Sequence, residues 1–326
     1  MAPPDPHRPL RVAVIGVGRM GSRHAAALAR LRDRGAGVTL AGLVDRSPVR
    51  AQAVAATTRA ARFDDTDRLS AAADAVIVAV RTQGHFEVAR RALDAGLHVL
   101  VEKPCCATVV EAERLSRQAR RLGRVLQVGH LEWFNPAWQA VRTSAERPVR
   151  IAAKRIGPFS PGGADTDVVF DLMIHDIHLI QGLLDEEPVA VEATGRALFG
   201  PKADVVRARL RFAGGCIATL LASRAATART RVCRVRGRST AWAADFVGQS
   251  ATVAEKGTLR TLAGGRCDLL EEQILAFRSA VRGDPTDAVQ APAVLGSLRT
   301  AQRISARLVR SPVLVHRGAR WQRDME

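Results

Sequence analysis

LRVAVIGVGRMGSRHAAALARLRD, residues 10–33, decides the fold. An apolar run ends in glycines, and an alanine- and leucine-rich helical stretch follows from Met20 to about Arg32. Between them Gly16, Gly18 and Gly21 form a G-x-G-x-x-G, with Arg19 and Met20 inside the motif. The first glycine permits a tight turn, the second lets backbone approach a pyrophosphate, and the third lets helix and strand pack closely. The free N–H groups and positive dipole end of the helix then face the phosphates. These five residues are therefore candidates for holding a dinucleotide.

The same alternation continues outward. VTLAGLVD is a second strand ending at Asp45, where an acid can bond the adenine ribose hydroxyls and repel a 2′-phosphate. That favours NAD over NADP, although the adjacent Arg46 can itself accept a 2′-phosphate. Ser47-Pro48 caps and opens a second helix. DAVIVAV is a third buried strand, and HFEVARRALDAG a helix closed by Gly96. LHVLVEKP, TVVEAERLSRQARRLG and RVLQVGH read as strand, helix and strand. Short strands linked by helices imply right-handed crossovers and a parallel sheet covered on both faces. The expectation is an α/β chain: a lead-in over 1–9, then a doubly wound, Rossmann-type nucleotide domain over 10–128.

Beyond about His130 the pattern changes. A helical stretch near Asp167–Leu184 precedes PVAVEATGRAL, ADVVRARLRF, GCIATLLAS, TRVCRVRG and STAWAADF, strands in succession joined by turns such as Ala213-Gly214-Gly215. Consecutive strands on short turns predict an antiparallel sheet. Two helices follow, about Asp268–Arg282 and Ala291–Val309. Residues 129–326 thus read as an α+β domain with an open, mostly antiparallel sheet, and an open face of that size favours a homodimer or homotetramer.

Composition narrows the rest. Of 49 basic residues only Lys103, Lys154, Lys202 and Lys256 are lysines, and tyrosine is absent. So arginine-rich a pattern matches GC-rich coding. The +17 charge is interspersed and accompanied by no nucleic-acid motif, so nucleic acid is not an expected partner. A phosphate-bearing substrate is compatible with it. The apolar runs are far short of a membrane span and the start carries no signal-type stretch, so a cytoplasmic protein without membrane insertion is expected. The five cysteines include no C-x-x-C pair, and adjacent Cys105 and Cys106 read as small core residues.

Two further motifs carry chemistry. Glu102-Lys103-Pro104 follows the strand LHVLV, at the carboxyl edge of the sheet where ligands bind. Asp171 and His175 stand four apart on a helix and share a face. His85 reads as a capping or loop residue by the cofactor, and His24 as structural. Asp171, His175 and His178 can share a face as metal ligands, but no further cluster completes a catalytic zinc set, so no metal is expected.

Together with the glycine loop, E-K-P and D-x-x-x-H resemble the glucose–fructose oxidoreductase / inositol dehydrogenase family over essentially the whole chain. QVGHLEWFNPA (127–137) and PFSPGGADTDVVFDLMIHDIHL (158–179) resemble the branch that oxidises the 3-hydroxyl of UDP-N-acetylglucosamine ahead of amination for lipid A. Trp133, Arg81 and His178 depart from that branch, where arginine, proline and aspartate are usual; Trp133 bears on substrate recognition. The resemblance implies an oxidoreductase using NAD on a sugar or sugar-nucleotide hydroxyl. In it His175 is the base, Asp171 orients the imidazole, and Lys103 stabilises the developing alkoxide. Glu102 positions the cofactor or Lys103, and Pro104 fixes the turn, with a cis peptide as one route. Arg155 would pair with a substrate diphosphate, and Asn135 is carried as a substrate contact. Two other readings stay open: a dehydrogenase of another sugar or polyol, and a regulatory nucleotide-binding protein without chemistry.

Overall fold

A computed structural model describes residues 8–159, 166–289 and 291–310; residues 1–7 of the expected lead-in and 160–165 of the quoted loop lie outside them. The chain forms two compact units, one of residues up to Phe134 plus Cys267–Leu295, the other of Asn135–Arg266 plus residues from Gly296.

In the first unit β1 (Leu10–Ile15), β2 (Val38–Val44), β3 (Ala75–Val78), β4 (His98–Val101) and β5 (Leu126–Val128) form a five-stranded sheet in the order β2-β1-β3-β4-β5. Every pairing is parallel. Crossovers are made by α1 (Arg19–Asp33), α2 (Pro48–Thr58), the short α3 (Asp67–Ala72), α4 (Thr82–Asp94) and α5 (Val109–Arg121). Ser47 caps α2 by accepting from the Arg50 N–H, with Pro48 opening the helix. Thr108 and Glu111 form a reciprocal capping box on α5. The extra strand of a dinucleotide half is reduced to one parallel bridge between Leu43 and Arg62. Strand order reverses between β1 and β3, which opens the crevice used for ligands in such sheets.

The sequence boundary near 128 assigned everything after it to the second domain, and here the structure differs. Helix Leu269–Arg282, capped by Asp268, packs Leu270, Ile274 and Phe277 into the core of the first unit beside Val12, Leu28 and Leu31. Arg30 binds Asp268 and Glu271 at 2.6 and 2.7 Å, and Arg34 also binds Glu271. An amphipathic pattern reveals that a helix buries one face, not which core receives it.

The second unit holds α6 (Pro136–Ser144), β6 (Arg150–Ile156), a π-helical turn (Val169–Met173), α7 (Ile174–Leu184), and strands β7 (Ala190–Arg196), β8 (Val205–Arg211), β9 (Ile217–Ser223), β10 (Thr230–Arg236), β11 (Thr240–Asp245), β12 (Ser250–Glu255), β13 (Thr258–Ala263) and β14 (Val309–Arg310). They form a nine-stranded sheet in the order β13-β12-β11-β10-β6-β9-β8-β7-β14. Only β6–β9 and β7–β14 are parallel. The β12–β13 hairpin, turning at Lys256-Gly257, went unread in the sequence. Along β8, Val206, Ala208 and Leu210 are buried while Arg207, Arg209 and Arg211 are exposed. This period-two alternation leaves one sheet face open.

Candidate active site

In the first unit the glycines divide their tasks by geometry. Gly16 has φ +86°, and a β-carbon there would stand 2.8 Å from the Val80 side chain. A β-carbon on Gly21 would lie 1.8 Å from the Gly16 carbonyl oxygen, so only glycine lets α1 close onto the turn. On Gly18 it would meet nothing within 4 Å. The loop is thus tight on its protein side and open at the residue that approaches a phosphate. The Ser22 hydroxyl donates to the carbonyls of Val17 and Gly18 at 2.9 and 2.8 Å, holding the loop from within α1. Arg19 is exposed and Met20 half-buried in the first turn.

Asp45, at the end of β2, accepts from the Val17 N–H through Oδ2 and from the Ser47 N–H through Oδ1, both at 2.8 Å. Arg50, which sequence reading missed, reaches Oδ1 at 3.2 Å from the first turns of α2. Partial burial pushes the Asp45 pKa up, but these hydrogen bonds and the Arg50 charge outweigh it and hold the carboxyl below its ordinary value. The acid is therefore fixed, ionised and joined to the glycine loop. Arg46 beside it is exposed. Open backbone at Gly18, the N-terminus of α1 and this carboxylate are what an adenine dinucleotide requires.

The E-K-P turn ends β4. Glu102 is buried, and its Oε1 lies 2.7 Å from His24 Nε2 on α1. Its Oε2 accepts the Lys103 N–H at 3.2 Å. Burial acts to raise the Glu102 pKa, yet the His24 hydrogen bond and the nearby charges bring it below the ordinary range. Lys103 is half-buried, and the Lys103–Pro104 peptide is cis. His85 is not a cap: Arg81 occupies the N-cap of α4, and His85 is buried inside the first turn. Its Nδ1 lies 2.9 Å from the Pro104 carbonyl oxygen and its Nε2 3.1 Å from that of Val80. Burial lowers its pKa against the two carbonyls, which raise it. The ring is buried with both nitrogens facing backbone carbonyls, of which a neutral imidazole can donate to one, so His85 braces the E-K-P turn and the direct cofactor contact expected of it is not what this geometry offers.

In the second unit Asp171 lies in the π-helical turn and His175 in the first turn of α7, both half-buried. The widened turn between them was not foreseen; such turns recur at functional sites. His178, further along α7, is buried, and burial takes its pKa down to about 4. Among the described residues no group of three or more His, Cys, Asp or Glu is placed to hold a metal ion.

Two expected substrate contacts are differently employed. Arg155 is 1% exposed, and its guanidinium binds Asp176 through Nη2 at 2.8 Å and Nε at 3.1 Å, with Phe246 stacked 5.3 Å away. A cation committed to a buried carboxylate is not presented to a diphosphate. Asn135 is wholly buried: its side-chain oxygen caps α6 by accepting from the Ala137 N–H, and its amide donates to the Phe246 carbonyl. Asn-Pro at a helix start carried that signal.

The chain belongs to the glucose–fructose oxidoreductase / inositol dehydrogenase (Gfo/Idh/MocA) family and is an oxidoreductase of it. Residues 10–130 match the family's NAD-binding Rossmann fold and residues 118–241 its C-terminal domain. Among its relatives, the UDP-N-acetylglucosamine 3-dehydrogenase of Acidithiobacillus ferrooxidans is 35% identical over 86% of this chain and 88% of that protein. A solved structure of that enzyme superposes with a TM-score of 0.87, covering 92% of this chain and 98% of the other. An inositol 2-dehydrogenase of Cereibacter sphaeroides is 30% identical over 56% of each chain. The scyllo-inositol dehydrogenase of Lactobacillus casei, solved with NAD(H) and scyllo-inositol, shares the fold at 18% identity and a TM-score of 0.78. Among the described residues no helix is long and apolar enough to cross a membrane.

Proposed function

We propose that this protein is a cytoplasmic NAD-dependent dehydrogenase that oxidises the 3-hydroxyl of UDP-N-acetylglucosamine to the 3-keto sugar, upstream of lipid A amination. The reading is carried by the E-K-P lysine, anchored through a buried carboxylate at the edge of a nucleotide-binding sheet, in a chain similar along nearly its whole length to an enzyme of that name. NAD, when bound, supplies the hydride acceptor. Gly16 to Gly21 and the N-terminus of α1 hold its pyrophosphate, and Asp45 holds the adenine ribose and disfavours a 2′-phosphate.

His175 accepts the proton of the carbinol hydroxyl as hydride leaves the carbon. Asp171 orients the imidazole and favours its charged form. Lys103 donates to the substrate oxygen and offsets the developing alkoxide charge. Arg155 and Asn135 have no part in this set. We further propose that the open sheet face supports a homodimer or homotetramer.

Steady-state kinetics with UDP-N-acetylglucosamine and separate NAD titrations test the reading. His175→Asn should lower turnover about a hundredfold or more while NAD affinity stays nearly unchanged. Lys103→Met should also slow turnover. Near-wild-type turnover in both variants sinks the site, whereas activity confined to another sugar sinks only the substrate.

A further inference from the structure

We infer that His24 and His85 are positioning residues for Lys103, gripping the residue before it and the residue after it. The inference rests on the reading that Lys103 acts on the substrate oxygen. From α1, His24 is wholly buried and its Nε2–H donates to Glu102 Oε1 at 2.7 Å. The ionised carboxylate leaves the imidazole as the donor. Its other oxygen accepts the backbone N–H of Lys103 itself, at 3.2 Å. From α4, His85 Nδ1 lies 2.9 Å from the Pro104 carbonyl oxygen, and its Nε2 lies near the Val80 carbonyl just past β3.

Lys103 therefore has a rigid neighbour on each side. Glu102 is 6% exposed, so losing a donor would leave buried charge less satisfied, and the turn would shift to recover it. Gly129 keeps the far side of that carboxylate clear, since a β-carbon there would come within 3.1 Å of Oε2. The two helices begin at the carboxyl ends of β1 and β3, which border the crevice where strand order reverses. His24 lies one turn beyond Gly21, so the helix that closes on the glycine loop also sets the lysine. A purely structural pair would change stability when removed and leave the ammonium's surroundings alone. A positioning pair must change the lysine itself, because displacements of about 1 Å can cost a hundredfold in rate.

The chain has only four lysines, which makes Lys103 directly observable. Lysines of the full-length protein are reductively methylated with 13C-formaldehyde, and the Lys103 resonance is assigned by its loss in Lys103→Met. In His24→Leu and His85→Leu that resonance should move and broaden, with those of Lys154, Lys202 and Lys256 unchanged. His24→Gln, whose amide N–H sits near the Nε2 position, and His85→Asn, whose amide N–H sits near the Nδ1 position, should restore it. Turnover should fall roughly ten- to a hundredfold in the leucine variants, with the NAD dissociation constant within about twofold. Where a leucine variant does not fold, methionine, which also lacks a side-chain N–H donor, replaces it. An unmoved Lys103 resonance in both histidine variants overturns the inference, whatever the substrate. Normal turnover in Lys103→Met, with the resonance still responding to His24, overturns instead the catalytic reading of the lysine.

Discussion

Asp176 accepts from Arg155 through both Nε and Nη2, in a pair whose side chains are 3% and 1% exposed. Two charges removed from water this completely stabilise the fold only as a pair. Asp176→Ala should lower the unfolding free energy by about 3–5 kcal/mol by taking the carboxylate away from a buried guanidinium. Arg155→Met with Asp176→Leu should recover most of it. Urea denaturation reads both, and a loss below about 1 kcal/mol in the single variant rules out this role for the pair.

The glycines should separate folding from cofactor binding. Gly21→Ala, whose β-carbon would lie 1.8 Å from a carbonyl oxygen, should fail to give a native first unit. Gly18→Ala meets open space and should keep its circular dichroism and melting temperature. It should nevertheless bind NAD about tenfold or more weakly, because the methyl stands where backbone approaches the pyrophosphate. Equal loss of fold in both variants would remove the distinction.

Asp45→Ala should weaken NAD binding about tenfold or more, the scale of a hydrogen bond to a charged group. NADP binding should change less, because the substitution also removes the repulsion of a 2′-phosphate. Fluorescence titration of both nucleotides measures this. A native protein that binds NADP tenfold better than NAD contradicts the role given to the carboxylate. Arg50→Ala should cost less, since the Val17 and Ser47 N–H groups still hold the acid.

Burial of His178 makes stability depend on pH. Its folded pKa is about 4, against an ordinary value near 6.5. Between these values the unfolded chain binds a proton that the folded chain refuses, so stability falls as pH drops from about 6.5 towards 4. The full effect is on the order of 3 kcal/mol, since one pKa unit is about 1.4 kcal/mol. His178→Leu should flatten the slope of urea midpoints measured across that range. His98, also displaced to about 4 by burial and by the Arg124 charge, should leave a residual slope. An unchanged slope in His178→Leu would show that the side chain is not desolvated as described.

Local signals carried much of the fold. The glycine loop, Ser47-Pro48 and each strand of the first sheet are decided by neighbours within a few residues, and all could be read directly. Asn135 carried an equally local signal, a cap before proline, which family likeness obscured. Arg155, His24 and His85 were another matter. Their partners Asp176, Glu102 and Pro104 lie on other elements, so burial and pairing depend on strands and helices already assembled. The π-helical turn at Asp171 escaped because a period of 3.6 says nothing about one widened turn. Helix Leu269–Arg282 was found as a helix, but its destination was not, because Leu270, Ile274 and Phe277 would suit any apolar surface.

That destination bears on the order in which the molecule can be made. A chain leaving the ribosome releases every strand of the first sheet well before Leu270, Ile274 and Phe277 emerge, yet its core includes all three. The nascent nucleotide domain must wait, with part of its apolar surface uncovered, while more than a hundred intervening residues are synthesised. At the usual ~5–20 residues per second that interval lasts on the order of ten seconds. A fragment stopping at Phe134 would carry the same exposed surface permanently and should aggregate. The segment Cys267–Leu295 thus completes the first domain from beyond most of the second.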